Sequence, residues 1–173
     1  MMKAVCLVLL FALIIIFIPS ESSSRSSSIT LKPQPNPNFK IFNSTDHKNA
    51  RTCSFTVEVT TSCSSTTYTR DQISLAFGDA YGNQVYVPRI DDPSTRTFER
   101  CSSDTFELYG PCTYEVCYLY LYRSGYDGWM PERVDVYGYN IRAVSFSFNV
   151  WIPADVWYGP DYCYGYAARA AAK

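Results

Sequence analysis

The side chains best suited to nucleophilic chemistry in this sequence are seven cysteines and a single histidine, His47. A Ser-His-Asp or Cys-His catalyst needs its histidine fixed within hydrogen-bonding reach of the nucleophile. His47 lies in a stretch rich in Ser, Pro, Asn and Lys that has no apolar period, and such composition predicts a flexible arm. We therefore expect neither type of catalyst.

Six cysteines follow the first 50 residues, and we expect them to form up to three disulfides: Cys53, Cys63, Cys101, Cys112, Cys117 and Cys163. A zinc site is the competing use of clustered cysteines. However, the closest pair has a C-x4-C spacing and no second pair completes it, so we favour disulfides. Disulfide bonding also removes the thiol nucleophile.

Carboxylates are the remaining candidates for chemistry. Paired acids such as Asp91 and Asp92, or Asp127 and Asp135, could converge as in glycoside hydrolysis. Fourteen acids in one small domain produce adjacent pairs in any case, so we predict a protein that is not an enzyme.

Aspartates in predicted turns form a candidate calcium site: Asp71, Asp79, Asp91, Asp92 and Asp104. Calcium takes six to eight oxygen ligands, usually from loops. The alternative is that these aspartates cap local backbone groups, as Asp often does in turns. We expect no required cofactor, with calcium as the one candidate ion.

Net charge differs between the two parts of the chain. Residues 51–166 carry eight arginines, no lysine and fourteen acids, or 8 − 14 = −6, whereas residues 23–50 carry four cations and one acid, or +3. An acidic domain is a poor match for nucleic acid or for an anionic membrane face. We expect a monomer that binds a neutral or basic partner.

The N-terminus predicts secretion. An apolar run from Ala4 to Ile18 follows Lys3 and precedes small residues, which is typical of a signal peptide over residues 1–22; an uncleaved anchor is the alternative. Residues 23–51 are then the flexible arm, with a glycosylation sequon at Asn43. We expect an extracellular, apoplastic protein.

From residue 52 onward, apolar residues recur at every second position between turn signals, as in the run from Val144 to Ile152. Seven or eight short strands without a helical period predict an antiparallel β-sandwich over residues 52–166, followed by a tail at 167–173. In the stretch "CYLYLYR", Cys117, Leu119 and Leu121 share one face and a stripe of tyrosines, Tyr118, Tyr120 and Tyr122, the other. The stripe either packs against neighbours or binds a ligand.

Four ordered features of this domain resemble a PLAT/LH2 domain. They are the strand Phe55 to Val59, the D-x-I-x-L-x-x-G run from Asp71 to Gly78, Phe98-Glu99-Arg100 before Asp104-Thr105-Phe106, and Gly128-Trp129 before Val134 and Val136. The cysteine-bearing form is most similar to the secreted plant embryo-specific protein 3 family.

The resemblance implies an eight-stranded sandwich that binds lipid, membrane or protein partners without catalysis, here in embryo or seed development. It also implies that the last strand lies beside the first, which favours a Cys53–Cys163 disulfide. Extended chain would hold Cys112 and Cys117 about 16 Å apart, so each is expected to pair with Cys63 or Cys101.

For the binding surface, the sequence offers six candidates near predicted loops: Tyr126, Asp127, Trp129, Met130, Trp157 and Tyr158. Aromatic side chains of this kind insert at membrane interfaces. The alternative is that Trp129 anchors its loop to the sandwich. A second hypothesis is a carbohydrate or cell-wall binding protein, because flat tyrosine faces can also stack on sugar rings.

Overall fold

A computed structural model describes residues 32–42, 51–92, 94–139 and 141–164. The predicted signal peptide at 1–22, Asn43, His47 and the tail at 167–173 lie outside these ranges. Among the described residues, no helix is long and apolar enough to cross a membrane.

The described residues form two antiparallel sheets. The strands are β1 (Gln34–Pro35), β2 (Thr52–Thr61), β3 (Gln72–Gly78), β4 (Gln84–Val87), β5 (Ser103–Pro111), β6 (Tyr118–Ser124), β7 (Pro131–Gly138), β8 (Ile141–Ser147) and β9 (Trp157–Gly159). One sheet has the order β1-β9-β6-β3-β4, and the other has the order β5-β2-β7-β8. The predicted all-β sandwich is confirmed; β1, from the predicted arm, brings the described strands to nine.

Alternation along each strand builds the core between the sheets. In β2, Phe55, Val57 and Val59 are buried and the residues between them are partly exposed. Phe55 meets Phe77 of the opposite sheet with ring centroids 5.2 Å apart. Burial of such side chains, worth about 1.5–3 kcal/mol each, holds the two sheets together.

Strand β6 departs from this pattern because both of its faces are covered. Leu119 and Leu121 face the core, as predicted, whereas Cys117, which was predicted on the same face, clusters with the buried Tyr118 and Tyr120 on the other side. Phe39 covers these tyrosines, with its ring centroid 4.3 Å from that of Tyr120. The flexible-arm prediction is therefore wrong for residues 32–42, because an apolar ring and the β1–β9 pairing fix this segment.

The three disulfides join Cys53 to Cys112, Cys63 to Cys101 and Cys117 to Cys163. The expected Cys53–Cys163 bond does not form, and neither Cys112 nor Cys117 pairs with Cys63 or Cys101. The expected Cys53–Cys163 bond assumed that the last long strand lies beside the first. This is wrong, because β7 lies between β2 and β8. Cys53 instead faces the end of β5, where Gly110 is its register partner.

Loops gather at the two ends of the sandwich. One end, called the loop end, carries residues 62–71, 125–130 and 148–156 beside the segment between β4 and β5. The other, called the hairpin end, carries residues 79–83, residues 112–117 and the turn between β7 and β8.

Candidate functional site

Three exposed aromatic side chains lie at the loop end. Tyr126 is fully exposed, and Tyr68 and Trp151 retain 52% and 50% of their accessible surface. Each comes from a different loop, which follows β6, β2 and β8 respectively. We call these three residues, together with Arg70 and Asp127, the loop patch.

An ion pair joins two loops of the patch. Arg70 donates from Nε to Asp127 Oδ2 at 3.0 Å and from Nη2 to Oδ1 at 3.2 Å, and its backbone N–H donates to Oδ2 at 2.9 Å. These hydrogen bonds from Arg70 hold the pKa of the Asp127 carboxyl below its ordinary value. The Arg70 guanidinium also lies 5.9 Å from the centre of the Tyr68 ring, within cation–π range.

Trp151 reaches the same loop through Gly128. A Cβ atom added at Gly128 would lie 3.4 Å from Trp151 Cζ3, and the glycine has φ +79°. Glycine therefore suits this position both by conformation and by the room it leaves for the indole. The contact places Trp151 beside the loop that carries Tyr126 and Asp127.

Asp71 holds this loop from below. Its carboxylate accepts hydrogen bonds from Arg123 Nη1 at 2.5 Å and from the backbone N–H groups of Asp127 and Gly128 at 3.0 Å. A Cβ at Gly125 would lie 2.0 Å from Asp71 Oδ1, so only glycine allows this approach. Burial alone raises the pKa of Asp71, but these hydrogen bonds together hold it below the ordinary value.

The five aspartates of the predicted calcium site are not brought together. Among the described residues, no three Asp, Glu, His or Cys side chains form a group able to hold a metal ion. Asp79 instead accepts from Tyr81, Asn83 and Tyr114.

The other predicted ligands also have protein donors. Asp91 accepts from Arg89 and the Ile73 N–H, and Asp92 accepts from Ser94. Asp104 accepts from the Phe98 N–H, while burial raises its pKa. These carboxylates satisfy backbone and arginine donors, so the residues present do not fit a calcium cage.

Two of the six predicted binding residues, Tyr126 and Asp127, belong to the loop patch. Trp129 does not, because it is fully buried and its Nε1–H donates to Thr61 Oγ1 at 3.1 Å. Its ring lies 4.8 Å from that of Phe98, so it anchors the loop to the core. Met130 is half-buried, and its backbone N–H donates to Ser65 Oγ.

Trp157 and Tyr158 lie on β9, away from the loop patch. Trp157 packs against Phe39, Tyr86 and Tyr122 on the outer face of the five-stranded sheet, and Tyr158 packs against the core. Their assignment to a binding loop is therefore wrong. Both residues belong to strand β9, and both side chains pack against the sandwich.

Three members of the patch, Tyr68, Arg70 and Trp151, are not among the residues predicted from the sequence. Trp151 stands between Val150 and Ile152, which belong to the alternating apolar series. A large apolar residue that alternates with the inward positions is predicted to face outward, and this pattern would have indicated that Trp151 is exposed.

Comparison with solved structures defines the class. The sandwich matches the crystal structure of a Delta413-417:GS LOX with a TM-score of 0.54 and 23% identity, over 64% of this chain and 16% of that one. It matches coral 8R-lipoxygenase with a TM-score of 0.51 and 22% identity, over 62% of this chain and 17% of that one. The domain is thus a PLAT/LH2-like β-sandwich.

Comparison with sequences defines the family. A family model for embryo-specific protein 3 (ATS3) matches residues 40–163, and the chain belongs to that family. It is 63% identical over 116 residues to embryo-specific protein ATS3B and 60% identical over 118 residues to embryo-specific protein ATS3A, both of Arabidopsis thaliana. The matches cover 67% and 68% of this chain, and 61% and 66% of those relatives.

Proposed function

We propose that this protein is a non-catalytic module that binds a lipid surface through the loop patch and acts in the embryo or seed. The observation that supports this most is the exposure of Tyr68, Tyr126 and Trp151 on three adjacent loops. Tyrosine and tryptophan are the residues that settle at membrane–water interfaces, because their rings are apolar and their polar atoms still reach water.

The arginine in the patch suits the same role. The exposed Arg70 is held by Asp127 beside Tyr68, where its remaining donors can meet a phosphate headgroup. The domain is acidic overall, so a zwitterionic surface is favoured over an anionic one. We expect binding that depends only weakly on ionic strength, since apolar contact carries it.

The protein is proposed to act outside the cell. Three disulfides persist in oxidising compartments and are rare in the cytosol, which supports the predicted secretion. Membership in the embryo-specific protein 3 family supports the role in the embryo, and no cofactor is required in this account.

Vesicle co-sedimentation tests the proposal. Wild type is expected to sediment with phosphatidylcholine vesicles, and the double variant Tyr126→Ser/Trp151→Ser is expected to bind at least tenfold more weakly, since burying one such ring is worth about 1.5–3 kcal/mol. The matched control is Tyr109→Ser/Tyr137→Ser, which removes two exposed tyrosines from the outer face of the four-stranded sheet.

The control variant should bind as wild type does. Absence of binding to both zwitterionic and anionic vesicles would contradict the lipid proposal. The loop patch would then be expected to bind a protein partner. Equal losses in both double variants would show that the patch is not the binding surface.

A further inference from the structure

A groove of about 480 Å³ lies at the hairpin end, on the opposite side of the sandwich from the loop patch. The buried Phe55, the half-buried Ile141 and the Cys53–Cys112 disulfide form its apolar base. Tyr114 and Tyr139 line its rim, and both are largely exposed. The groove therefore combines an apolar base with two aromatic faces open to solvent.

Thr113 supplies a second, independent observation. Thr113 is one of the residues that line the groove, and it is only 9% exposed. Among the described residues, Thr113 Oγ1 is the one buried side-chain nitrogen or oxygen atom without a hydrogen-bond partner. A buried polar group left unpaired is costly, and rotation of the Thr113 side chain toward the groove would let a ligand hydroxyl supply the missing partner.

The loop that carries these residues is fixed at both ends. Cys112 is bonded to Cys53, and Cys117 is bonded to Cys163, so residues 112–117 are tied to two different parts of the fold. The Tyr114 N–H donates to Asp79 Oδ2 at 3.0 Å. A site held in place before binding loses little conformational entropy when a ligand enters, which favours affinity.

The Tyr114 ring is also supported from the side. It makes an edge contact with Tyr81, with ring centroids 5.2 Å apart. Asp79 bonds the backbone of both the Tyr81 turn and the Tyr114 loop. The rim is thus braced by a neighbouring hairpin instead of standing alone.

The lining chemistry selects a neutral, hydroxylated ligand. Arg51 and Glu115 bring one charge of each sign, so no net charge attracts an ion. Thr52, Ser54 and Thr113 add hydroxyls that donate and accept. A long acyl chain would leave these polar groups desolvated and unpaired, whereas a sugar would pair them and stack its C–H face on tyrosine.

We propose that this groove binds a neutral oligosaccharide, with Tyr114 and Tyr139 stacking on sugar rings and Thr113 Oγ1 bonding a sugar hydroxyl. The site is separate from the loop patch and does not rest on the lipid-binding proposal. The protein would then join a glycan at one end to a lipid surface at the other.

Isothermal titration of the full secreted chain with four hexasaccharides, of β-1,4-linked glucose, xylose, mannose and galactose, tests this site. Wild type is expected to bind at least one of them. Tyr114→Ala and Tyr139→Ala should each weaken that binding about tenfold. Thr113→Val should weaken it about fivefold while the melting temperature stays the same or rises, because a methyl group replaces an unpartnered hydroxyl.

The loop-patch variant Tyr126→Ser/Trp151→Ser should retain hexasaccharide binding, and Tyr139→Ala should retain vesicle binding, so failure of either proposal is distinguishable from failure of the other. Folded wild type that binds none of the hexasaccharides would overturn the proposal. So would binding that survives Tyr139→Ala, or binding of oleate that competes with the hexasaccharide in this groove.

Discussion

At the scale of single residues, Asp71 organises the loop end. One buried carboxylate accepts from the Arg123 guanidinium and from two backbone N–H groups of the loop that presents Tyr126. Arg123 in turn donates from Nε to the carbonyl of Ile152 at 2.9 Å, next to Trp151. Two loops of the patch are therefore positioned by one buried ion pair.

Asp71→Asn is expected to destabilise the domain by about 3 kcal/mol at neutral pH, because it leaves the buried Arg123 without its counter-ion. The pKa of Asp71 is lowered in the fold, so its stabilisation is present above the ordinary value of 3.8 and is lost as pH falls through the lowered pKa. Urea unfolding from pH 7 to acid pH measures this.

The difference in free energy of unfolding between wild type and Asp71→Asn should become smaller at acid pH, because the wild-type carboxylate is then protonated. The matched control is Asp92→Asn, which removes an exposed carboxylate that bonds Ser94 and should change stability by less than about 1 kcal/mol. Equal effects of the two substitutions would contradict the role assigned to Asp71.

At the scale of elements, the segment 32–42 completes the five-stranded sheet. Phe39 packs on Tyr118, Tyr120 and Trp157, and Asn36 Nδ2 donates to the Tyr120 hydroxyl at 3.0 Å. Burial under this cover raises the pKa of Tyr118 to about 12. The tyrosine stripe is thus an internal packing surface that is covered by segment 32–42 of the same chain.

Phe39→Ala is expected to lower the pKa of Tyr118 toward its ordinary value of 10, because water regains access to the phenol. It should also cost about 2 kcal/mol of stability. Carbon NMR of the tyrosine Cζ atoms across a pH titration measures the shift. Phe42→Ala, at an exposed ring of the same segment, is the control and should leave this pKa unchanged. An unchanged Tyr118 pKa in Phe39→Ala would contradict the claim that Phe39 shields Tyr118 from water.

Period-two alternation was enough to predict seven of the nine described strands, β2 to β8, and the inward faces of β2 and β6, but it did not predict the short strands β1 and β9. The pairing of cysteines was not predictable in this way, because it depends on which strand lies between β2 and β8. For the candidate site, the sequence likewise could not show which of Trp129 and Trp151 is buried and which is exposed. Both occur near turns, and only the assembled core shows that the first fills the space beside Phe98 while the second points outward.

At the scale of the whole molecule, the two-sheet sandwich separates two surfaces of different chemistry. The loop patch is aromatic with an arginine, and the groove at the hairpin end combines tyrosines with hydroxyls. Disulfides stabilise both ends: Cys63–Cys101 lies at the loop end, and Cys53–Cys112 borders the groove.

Calcium is expected to leave this molecule unchanged, because the five candidate aspartates are occupied by protein donors and do not converge. Thermal unfolding in calcium chloride and in EGTA, at equal ionic strength, should give the same melting temperature. A specific site filled to 100 times its Kd would add about 2.7 kcal/mol, so a clear rise in melting temperature would contradict this prediction.

Insertion of Trp151 into lipid is the most direct test of the central claim. In the Trp157→Phe variant, Trp129 stays buried and Trp151 is the exposed tryptophan, so its fluorescence can be followed with vesicles of brominated phosphatidylcholine. We predict a blue shift and strong quenching, both absent after further Trp151→Phe substitution. Protein that is bound to these vesicles with Trp151 unquenched, or that does not bind them, would contradict the account.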